Sequence, residues 1–510
     1  MVPLDIRIEE NRQDLNSSRW VAKMRLLPVS ISLLSALLIG GCAVQPKAFN
    51  DSEITNINRQ DFLLATQNVE ALSGPVSLDE AIARALKYNL KHRTRLLEQS
   101  LAAGELEAGR FDMLPKLLAD AGYSWRNNDP SRTSESNPTV ASVSSEKAHV
   151  DGDVALMWNV LDFGASYYNA KQNADRLLIA NERRRKAMHT LIQNVRTSYW
   201  RALAAQLLND RLKSTIADAE KALKSSRQIS AERVKDPKES LRYQRTLLEN
   251  LRLLESVERE LASAKIELAD YMGLTPGQSY SLAGVETMSP AKSSMTIEEM
   301  EQSALLQNAD LRESFYNVRI AADDTRKALL KLLPGISFEY SYNFDDDKYL
   351  VNDQWNAAGA RVSYNLFNIL SGPSRMDAAE KNEQLQAARR MALQMSVLTQ
   401  VHLANHDYLD SKHQFERAES IYQVDKELAD VISKQQSADL VSDLDRISAN
   451  VTYILSTVRL YQAVAKVQEA ESRVQATLGF EPVFESLDDL DLQALRQVVR
   501  SSLDRWSEAK

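Results

Sequence analysis

Four short stretches of this chain alternate apolar and polar side chains with a period of two, the pattern of strands that keep one apolar face. In the first, Ala119, Ala121, Tyr123 and Trp125 alternate with Asp120, Gly122, Ser124 and Arg126. In the second, Val150, Gly152, Val154, Leu156, Trp158 and Val160 alternate with Asp151, Asp153, Ala155, Met157, Asn159 and Leu161. The third sets Ile336, Phe338, Tyr340, Tyr342 and Phe344 against Ser337, Glu339, Ser341 and Asn343. The fourth sets Ala358, Ala360, Val362, Tyr364 and Leu366 against Gly359, Arg361, Ser363 and Asn365. Each spans about 9 to 11 residues, the length of a tilted transmembrane strand, with aromatic residues towards the ends. A soluble sheet with one wet face is the alternative reading of the same pattern. The hydrophilic stretches Asn127 to Lys147 and Asp345 to Asp353 join the strands in pairs, which predicts two hairpins with water-exposed tips.

Elsewhere the spacing turns helical. Leu247, Leu251, Leu254, Leu261 and Leu268 follow a 4-3 rhythm, the seam of a left-handed coiled coil, and read as ordinary core. A very long helical stretch follows each hairpin: Ala165 to Asp236, and Ser371, at its Gly372-Pro373 punctuation, to Ser442. Each is roughly 72 residues, or about 108 Å at about 1.5 Å per residue. The stretches Leu78 to Met113 and Lys238 to Gly273, with their second-half counterparts, are roughly 36 residues each, so two short helices laid end to end match one long one. Such a rod runs out from the strands along one helix and returns in two pieces.

These elements are written twice. Leu78-Asp79-Glu80, Ala85, Asn89, Arg93, Ala102-Ala103, Leu114-Pro115 and Tyr123 recur at a constant offset as Ile297-Glu298-Glu299, Ala304, Asn308, Arg312, Ala321-Ala322, Leu333-Pro334 and Tyr342. Trp158-Asn159-Val160-Leu161, Val195, Leu203, Gly273 and Pro276 recur, at a smaller constant offset, as Tyr364-Asn365-Leu366-Phe367, Val401, Leu409, Gly479 and Pro482. The difference between the offsets falls between Arg126 and Val150, which reads as a longer loop in the first copy. A duplicated unit buries its apolar faces against its copy, so the duplication sets the architecture.

Residues Arg25 to Cys42 have a basic start, an apolar run too brief to span a bilayer and small residues before a cysteine, which reads as an export signal. Ile39-Gly40-Gly41-Cys42 resembles a bacterial lipoprotein box, in which Cys42 is lipidated and becomes the mature N-terminus. Met24 begins a signal of ordinary length. Ala43 stands where an aspartate marks inner-membrane retention, so the outer membrane is expected. The chain divides into a signal over 1–41, a lipid-anchored extension over 42–76, a first repeat over 77–274 with its hairpin at about 116–163, and a linker over 275–296. A second repeat over 297–480, with its hairpin at about 336–367, and a tail over 481–510 complete it.

Composition narrows the function. A net charge of -8 gives no footing for nucleic acid. Beyond the signal no run approaches the ~20 apolar residues of a spanning helix, so passage through a bilayer must use strands. Four strands cannot close a barrel, and open edges in lipid leave backbone groups unpaired, so oligomerisation is required, and three copies supply twelve strands. Cys42 is the only cysteine, which leaves no disulfide framework and no thiol metal site. His402 and His406 are four apart, but the run His402-Leu403-Ala404-Asn405-His406 lacks the glutamate of zinc hydrolases. With no phosphate-binding or dinucleotide-binding glycine motif, no catalysis, metal or cofactor is predicted. The basic run Arg183-Arg184-Arg185-Lys186 reads as a solvated face near the mouth of the barrel, with contact to lipid headgroups as the alternative.

The duplicated layout, Leu114-Pro115 and Leu333-Pro334 before strands, Trp158-Asn159-Val160-Leu161-Asp162-Phe163-Gly164 opening a long helix, and Leu268-Ala269-Asp270-Tyr271-Met272-Gly273-Leu274 closing a unit together resemble the TolC family of outer-membrane efflux and secretion channels. The resemblance implies a mainly α chain with a small β part: a homotrimer with a twelve-stranded outer-membrane barrel on a helical periplasmic tunnel, girdled by smaller elements. It implies as partners a periplasmic adaptor and an inner-membrane pump of the RND or ABC kind. At the far helical turn, members often carry Gly-Leu, then Ser, Leu-Asp and an aliphatic residue. Leu440, Ser442, Leu444 and Asp445 match, while Asp439 stands where glycine is usual. The resemblance therefore places adaptor docking at Arg233, Val234 and Asp236 in the first repeat and at Leu440, Val441 and Ser442 in the second. It places a tunnel constriction at Asp445, with Asp443 and Asp439 beside it; solvated turn residues are the alternative. A drug or small-molecule exit duct, a type I protein secretion channel and a structural coiled-coil envelope lipoprotein are the functions this leaves.

Overall fold

The computed structural model of the chain describes residues 46–135, 137–231, 237–275, 277–284, 295–437, 442–480 and 490–508. Of the described residues, those up to Leu64 form one unit and those from Ala65 onward a second. The first carries most of helix α1 (Asp51–Thr66), none of whose residues is buried. In chain order the second runs α2 (Leu78–Tyr88), α3 (Leu90–Phe111), β1 (Lys116–Trp125), β2 (Ser131–Ser134), β3 (Asn137–Val143), β4 (Ala148–Asn159), α4 (Val160–Ala231) and α5 (Pro237–Tyr271). It continues with α6 (Ile297–Gln307), α7 (Ala309–Leu330), β5 (Gly335–Asp345), β6 (Gln354–Ser363), α8 (Phe367–Ser437), α9 (Asp443–Leu478) and α10 (Leu492–Glu508).

The four alternating segments form one antiparallel sheet in the order β1-β4-β5-β6. Its register sets like against like: Tyr123 faces Val150, Val154 faces Tyr342, Leu156 faces Tyr340, and Tyr340 faces Ala358. Because side chains alternate faces along a strand, these pairs put every apolar set on one side of the sheet. The Trp158 and Phe338 rings stack there at 6.3 Å. This face is exposed, with Tyr340 at 53% and Tyr123 at 70%. Asp120, Asp153, Glu339 and Arg361 line the other. Within the described residues β1 and β6 each pair on one side only.

Two expectations about the helices are corrected. Leu78 to Met113 is two helices, because Asn89 adopts an extended backbone (φ -66°, ψ 118°) and its Oδ1 accepts the His92 N–H at 3.1 Å, ending α2 and capping α3. Asn308 does the same for α6 and α7 through the Leu311 N–H at 3.1 Å. The long helices start earlier than Ala165 and Ser371. Asn159 Oδ1 accepts from the Leu161 N–H at 2.9 Å, and Asn365 Oδ1 from the Phe367 N–H at 3.0 Å, so a side-chain cap opens each helix directly after its strand. Pro373 therefore lies inside α8, removing one backbone donor without ending it. The lengths, 72 and 71 residues, match the expectation. The stretch between Arg126 and Val150, expected as a plain loop, holds the antiparallel pair β2-β3.

Helix α4 packs on α3 and α7 and, further along, on α5 and α9; α8 packs on α7 and α9. The leucine seam is core: Leu247, Leu254 and Leu268 are fully buried. Each repeat ends on a left-handed glycine, Gly273 at φ 71° and Gly479 at φ 79°, each pressed against the last residue of the short helix that opens its repeat. A Cβ on Gly273 would lie 2.6 Å from Tyr88 Cβ, and one on Gly479 2.5 Å from the Gln307 carbonyl oxygen. Gly479→Ala combines the left-handed penalty with that clash, so it is expected to lower stability by about 2 kcal/mol or more in a thermal melt. A loss below about 0.5 kcal/mol would show that α9 can end elsewhere.

Midway along the long helices lies a second layer. Val76 bridges Leu282 in parallel, and the Tyr199 hydroxyl of α4 sits 3.1 Å from the Val76 carbonyl oxygen and 2.9 Å from that of Ala283. Helix α10 packs on α2, where Arg496 Nε donates to Asp79 at 2.6 Å. Arg84, 1% exposed, is satisfied by Glu80 and by the carbonyls of Glu70 and Ala71.

Candidate functional site

At the end of α4 and α8 away from the sheet, Ser442 caps α9 from an extended conformation (φ -77°, ψ 157°). Its hydroxyl accepts the Asp445 N–H at 3.2 Å, and the Asp445 carboxylate takes the Ser442 N–H at 3.2 Å and its O–H at 2.6 Å. This is a capping box with aspartate in the place of the usual glutamate. It fixes an exposed negative charge at the first turn of α9, where the helix dipole favours it. The two sequence-predicted residues that the structure describes here are thus bonded to each other. Asp443 opens α9, but its side chain lies outside the described part of the chain. So do Arg233, Val234, Asp236, Asp439, Leu440, Val441 and Cys42.

Beside the cap, Arg446 Nη1 donates to Asp218 Oδ2 of α4 at 2.8 Å, tying the first turn of α9 to the opposite repeat. Two turns on, the Arg211 guanidinium lies 4.1 Å over the Tyr453 ring and donates to Asn450 at 3.1 Å. Tyr422 packs on the same ring at 5.7 Å, and burial, with a hydrogen bond to Tyr453, pushes its pKa up to about 12. A cavity of about 530 Å³ opens between these helices, lined by Asp218, Ser226, Ser240, Tyr243, Ser442 and Arg446. Sequence reasoning missed the Arg446–Asp218 pair, since neither residue carries a sign of its partner.

The basic run on α4 is solvated and also paired, with the Arg183 and Lys186 side chains 57% and 60% exposed. Arg183 binds Glu313 at 2.8 Å and Lys186 binds Asp310 at 2.8 Å, both on α7, and Arg312 of α7 returns to Glu182 at 2.8 Å. Opposite charges on two packed helices are drawn together, so the run joins the first repeat to the second through surface ion pairs, each worth about 1 kcal/mol or less. Further along α4, Arg196 reaches α9, where it binds Glu471 at 3.1 Å and Ser472 at 2.7 Å; both charges are nearly sealed from solvent. His402 binds Glu301 at 2.7 Å. Among the described residues no group of three or more side chains could hold a metal ion, and no helix is long and apolar enough to cross a membrane.

No protein-family description and no curated protein matches the chain by sequence. Solved structures match by shape. The CmeC outer membrane channel of Campylobacter jejuni, 15% identical, aligns over 85% of this chain and 89% of its own with a TM-score of 0.62. The chain has the TolC fold. The MtrE outer membrane channel of Neisseria gonorrhoeae in its open state, 16% identical, aligns over 81% of this chain and 94% of its own at 0.58. A Pseudomonas aeruginosa membrane protein, 16% identical, aligns over 79% and 90% at 0.59. The TolC fold explains why the capped tip and the inter-repeat clamps lie on the long helices: those helices are the elements that both repeats share along their length.

Proposed function

We propose that the protein is the outer-membrane channel of a tripartite export system, a passive duct for drugs or other small molecules delivered by an inner-membrane pump and a periplasmic adaptor. The observation that carries this reading is the sheet: one face exposed, apolar and rich in aromatics, and two edges that lack a partner among the described residues. In water such a face invites aggregation; in lipid it is at home, but its edges then must be paired. Three copies edge to edge close twelve strands around an aqueous lumen lined by Asp120, Asp153, Glu339 and Arg361. The fold shared with outer-membrane channels supports the same arrangement, as does the lipoprotein-like sequence Ile39-Gly40-Gly41-Cys42. Energy comes from the pump, and the helical tip bearing Ser442, with Arg233, Val234, Asp236, Leu440 and Val441, is where the adaptor would dock.

Threefold symmetry would gather three Asp445 carboxylates at the tip into a ring that attracts cations. Native mass spectrometry of the detergent-solubilised protein is expected to give a trimer with an acylated Cys42 on each chain, and planar bilayers to show ion conductance. A stable monomer without conductance would end this reading. In the same bilayers Asp445→Ala is expected to weaken divalent-cation block several-fold, whereas Ser442→Ala, which removes the cap but keeps the charge, leaves block in place. Equal block in all three proteins would dispose of the ring.

A further inference from the structure

The apolar face of the sheet runs from Leu117 to Trp125 on β1, from Val150 to Trp158 on β4 and from Ile336 to Phe344 on β5, the same number of steps on each strand. At about 3.4 Å per step and a tilt of about 40°, such a run covers about 21 Å of height, whereas the apolar band of an outer-membrane barrel is about 25 Å tall. The strands alone fall short by about 4 Å, less than one helical turn of about 5.4 Å.

The helices joined to the two inner strands continue the same face. Phe163, in the first turn of α4, packs edge-on against Trp158 at 5.9 Å, and Tyr167 follows one turn further along. Leu329, in the last turn of α7, and Leu333, in the turn that leads into β5, stand four residues apart and share a face. All four are exposed, from 40% for Phe163 to 52% for Leu329. Arg326, three residues before Leu329, lies on that face and sits 6.0 Å over the Tyr168 ring. Lys171 Nζ lies 5.8 Å from the Tyr167 ring and 5.7 Å from that of Tyr168. Lys171 and Arg326 share the buried carboxylate of Asp323 and keep about half of each side chain in the open. Moving away from the sheet, one side of α4 and α7 therefore passes from apolar residues through tyrosines to cations, the succession found where a protein surface leaves a membrane.

A second copy of the chain does not cover this side. Helix α4 is flanked by α3 and α7, and α7 by α4 and α8, so both are interior to the helical layer. The sheet edges that a second copy would pair, among the described residues, are those of β1 and β6.

Resting on the reading of the sheet as membrane-embedded, we propose that the inner leaflet extends past the strands over the first turns of α4 and the last turn of α7. Acyl chains cover Phe163, Leu329 and Leu333, and phospholipid headgroups meet Tyr167, Tyr168, Lys171 and Arg326. One turn of apolar helix surface makes up the missing height, and its backbone groups are already bonded within the helix, so lipid leaves none of them unpaired. Phe315 marks the limit. It is exposed to a similar degree on the same face of α7, but about 21 Å further from the sheet than Leu329, and so stands in water.

The photo-cross-linking residue p-benzoylphenylalanine, placed singly at Tyr340, Phe163, Leu329 or Phe315 of the full-length protein in intact envelopes, tests this by mass spectrometry of the adducts. Phospholipid adducts are expected at Tyr340, Phe163 and Leu329, and their loss at Phe315. Adducts at Tyr340 but at neither Phe163 nor Leu329 would overturn the proposal and leave the membrane-embedded sheet standing. No adduct at any position would remove that reading together with the proposal, so Tyr340 tells the two failures apart. Lipid labelling at Phe315 equal to that at Leu329, or cross-links from Phe163 and Leu329 to protein in place of lipid, would also overturn it. Phe163 and Leu329 lie on different helices, so if one substitution prevents assembly the other decides.

Discussion

Arg196→Ala is expected to cost about 3–5 kcal/mol of stability, because it strands a charge in the contact between the two repeats. Arg196 and Glu471 are 4% and 3% exposed at their side chains. Removing the guanidinium leaves the Glu471 carboxylate with Gln475 Nε2, at 3.1 Å, as its one remaining donor among the described residues, in a space nearly sealed from water. Arg196 Nε and Glu471 Oε2 already lack partners, so the pair does not recover its full desolvation cost even in the wild type. It follows that the double variant Arg196→Met with Glu471→Leu should regain most of the loss and could exceed the parent. Thermal unfolding of the three proteins in detergent checks this. A single variant that melts within a degree or two of the wild type would mean that water reaches the site.

The second large effect separates the two faces of the sheet. Tyr340 lies at the middle of β5 on the apolar face, opposite Leu156 and Ala358; its neighbour Glu339 lies on the polar face, opposite Met157 and Gly359. An arginine on a lipid-facing position near the midplane costs about 2–4 kcal/mol, and the proposed trimer would carry it three times. Tyr340→Arg is therefore expected to abolish assembly in the outer membrane, read as loss of the protein from sedimented envelopes. Glu339→Arg, one residue away, should assemble normally and shift conductance from cation towards anion preference. If Glu339→Arg were the variant that failed to assemble, the lipid and water faces would have to be exchanged. If both assembled, the sheet would not be in a membrane.

Much of this was legible along the chain. Period-two alternation is a property of four to six neighbouring residues, so Val154 and Tyr342 could be assigned a face before it was known that they pair. The duplication was legible for the same reason, and so were the helix lengths. The helix breaks at Asn89 and Asn308 were missed although both residues stood out as a matched pair in the repeat. An asparagine in a helical stretch can point to solvent or cap a new helix, and only the backbone shows which. The β2-β3 pair was missed because serine, asparagine and proline dominate that stretch, and its strands are held by pairing with each other more than by any apolar face.

The candidate site divides along the same line. The Ser442–Asp445 box is a local motif, three residues apart, whose chemistry is spelled out in order. The Arg446–Asp218 pair spans 228 residues and Arg196–Glu471 spans 275, and the wet run from Arg183 to Lys186 gave no sign of its carboxylate partners on α7. Sequence alone determined the four strands of the sheet, the long helices after them and which face of each strand is apolar, since side-chain periodicity acts over a few residues of backbone. Which charges meet, which are sealed from water and where a cavity is left open were decided only by tertiary packing, because those properties depend on which distant segments the duplicated helices bring within a few ångströms of one another.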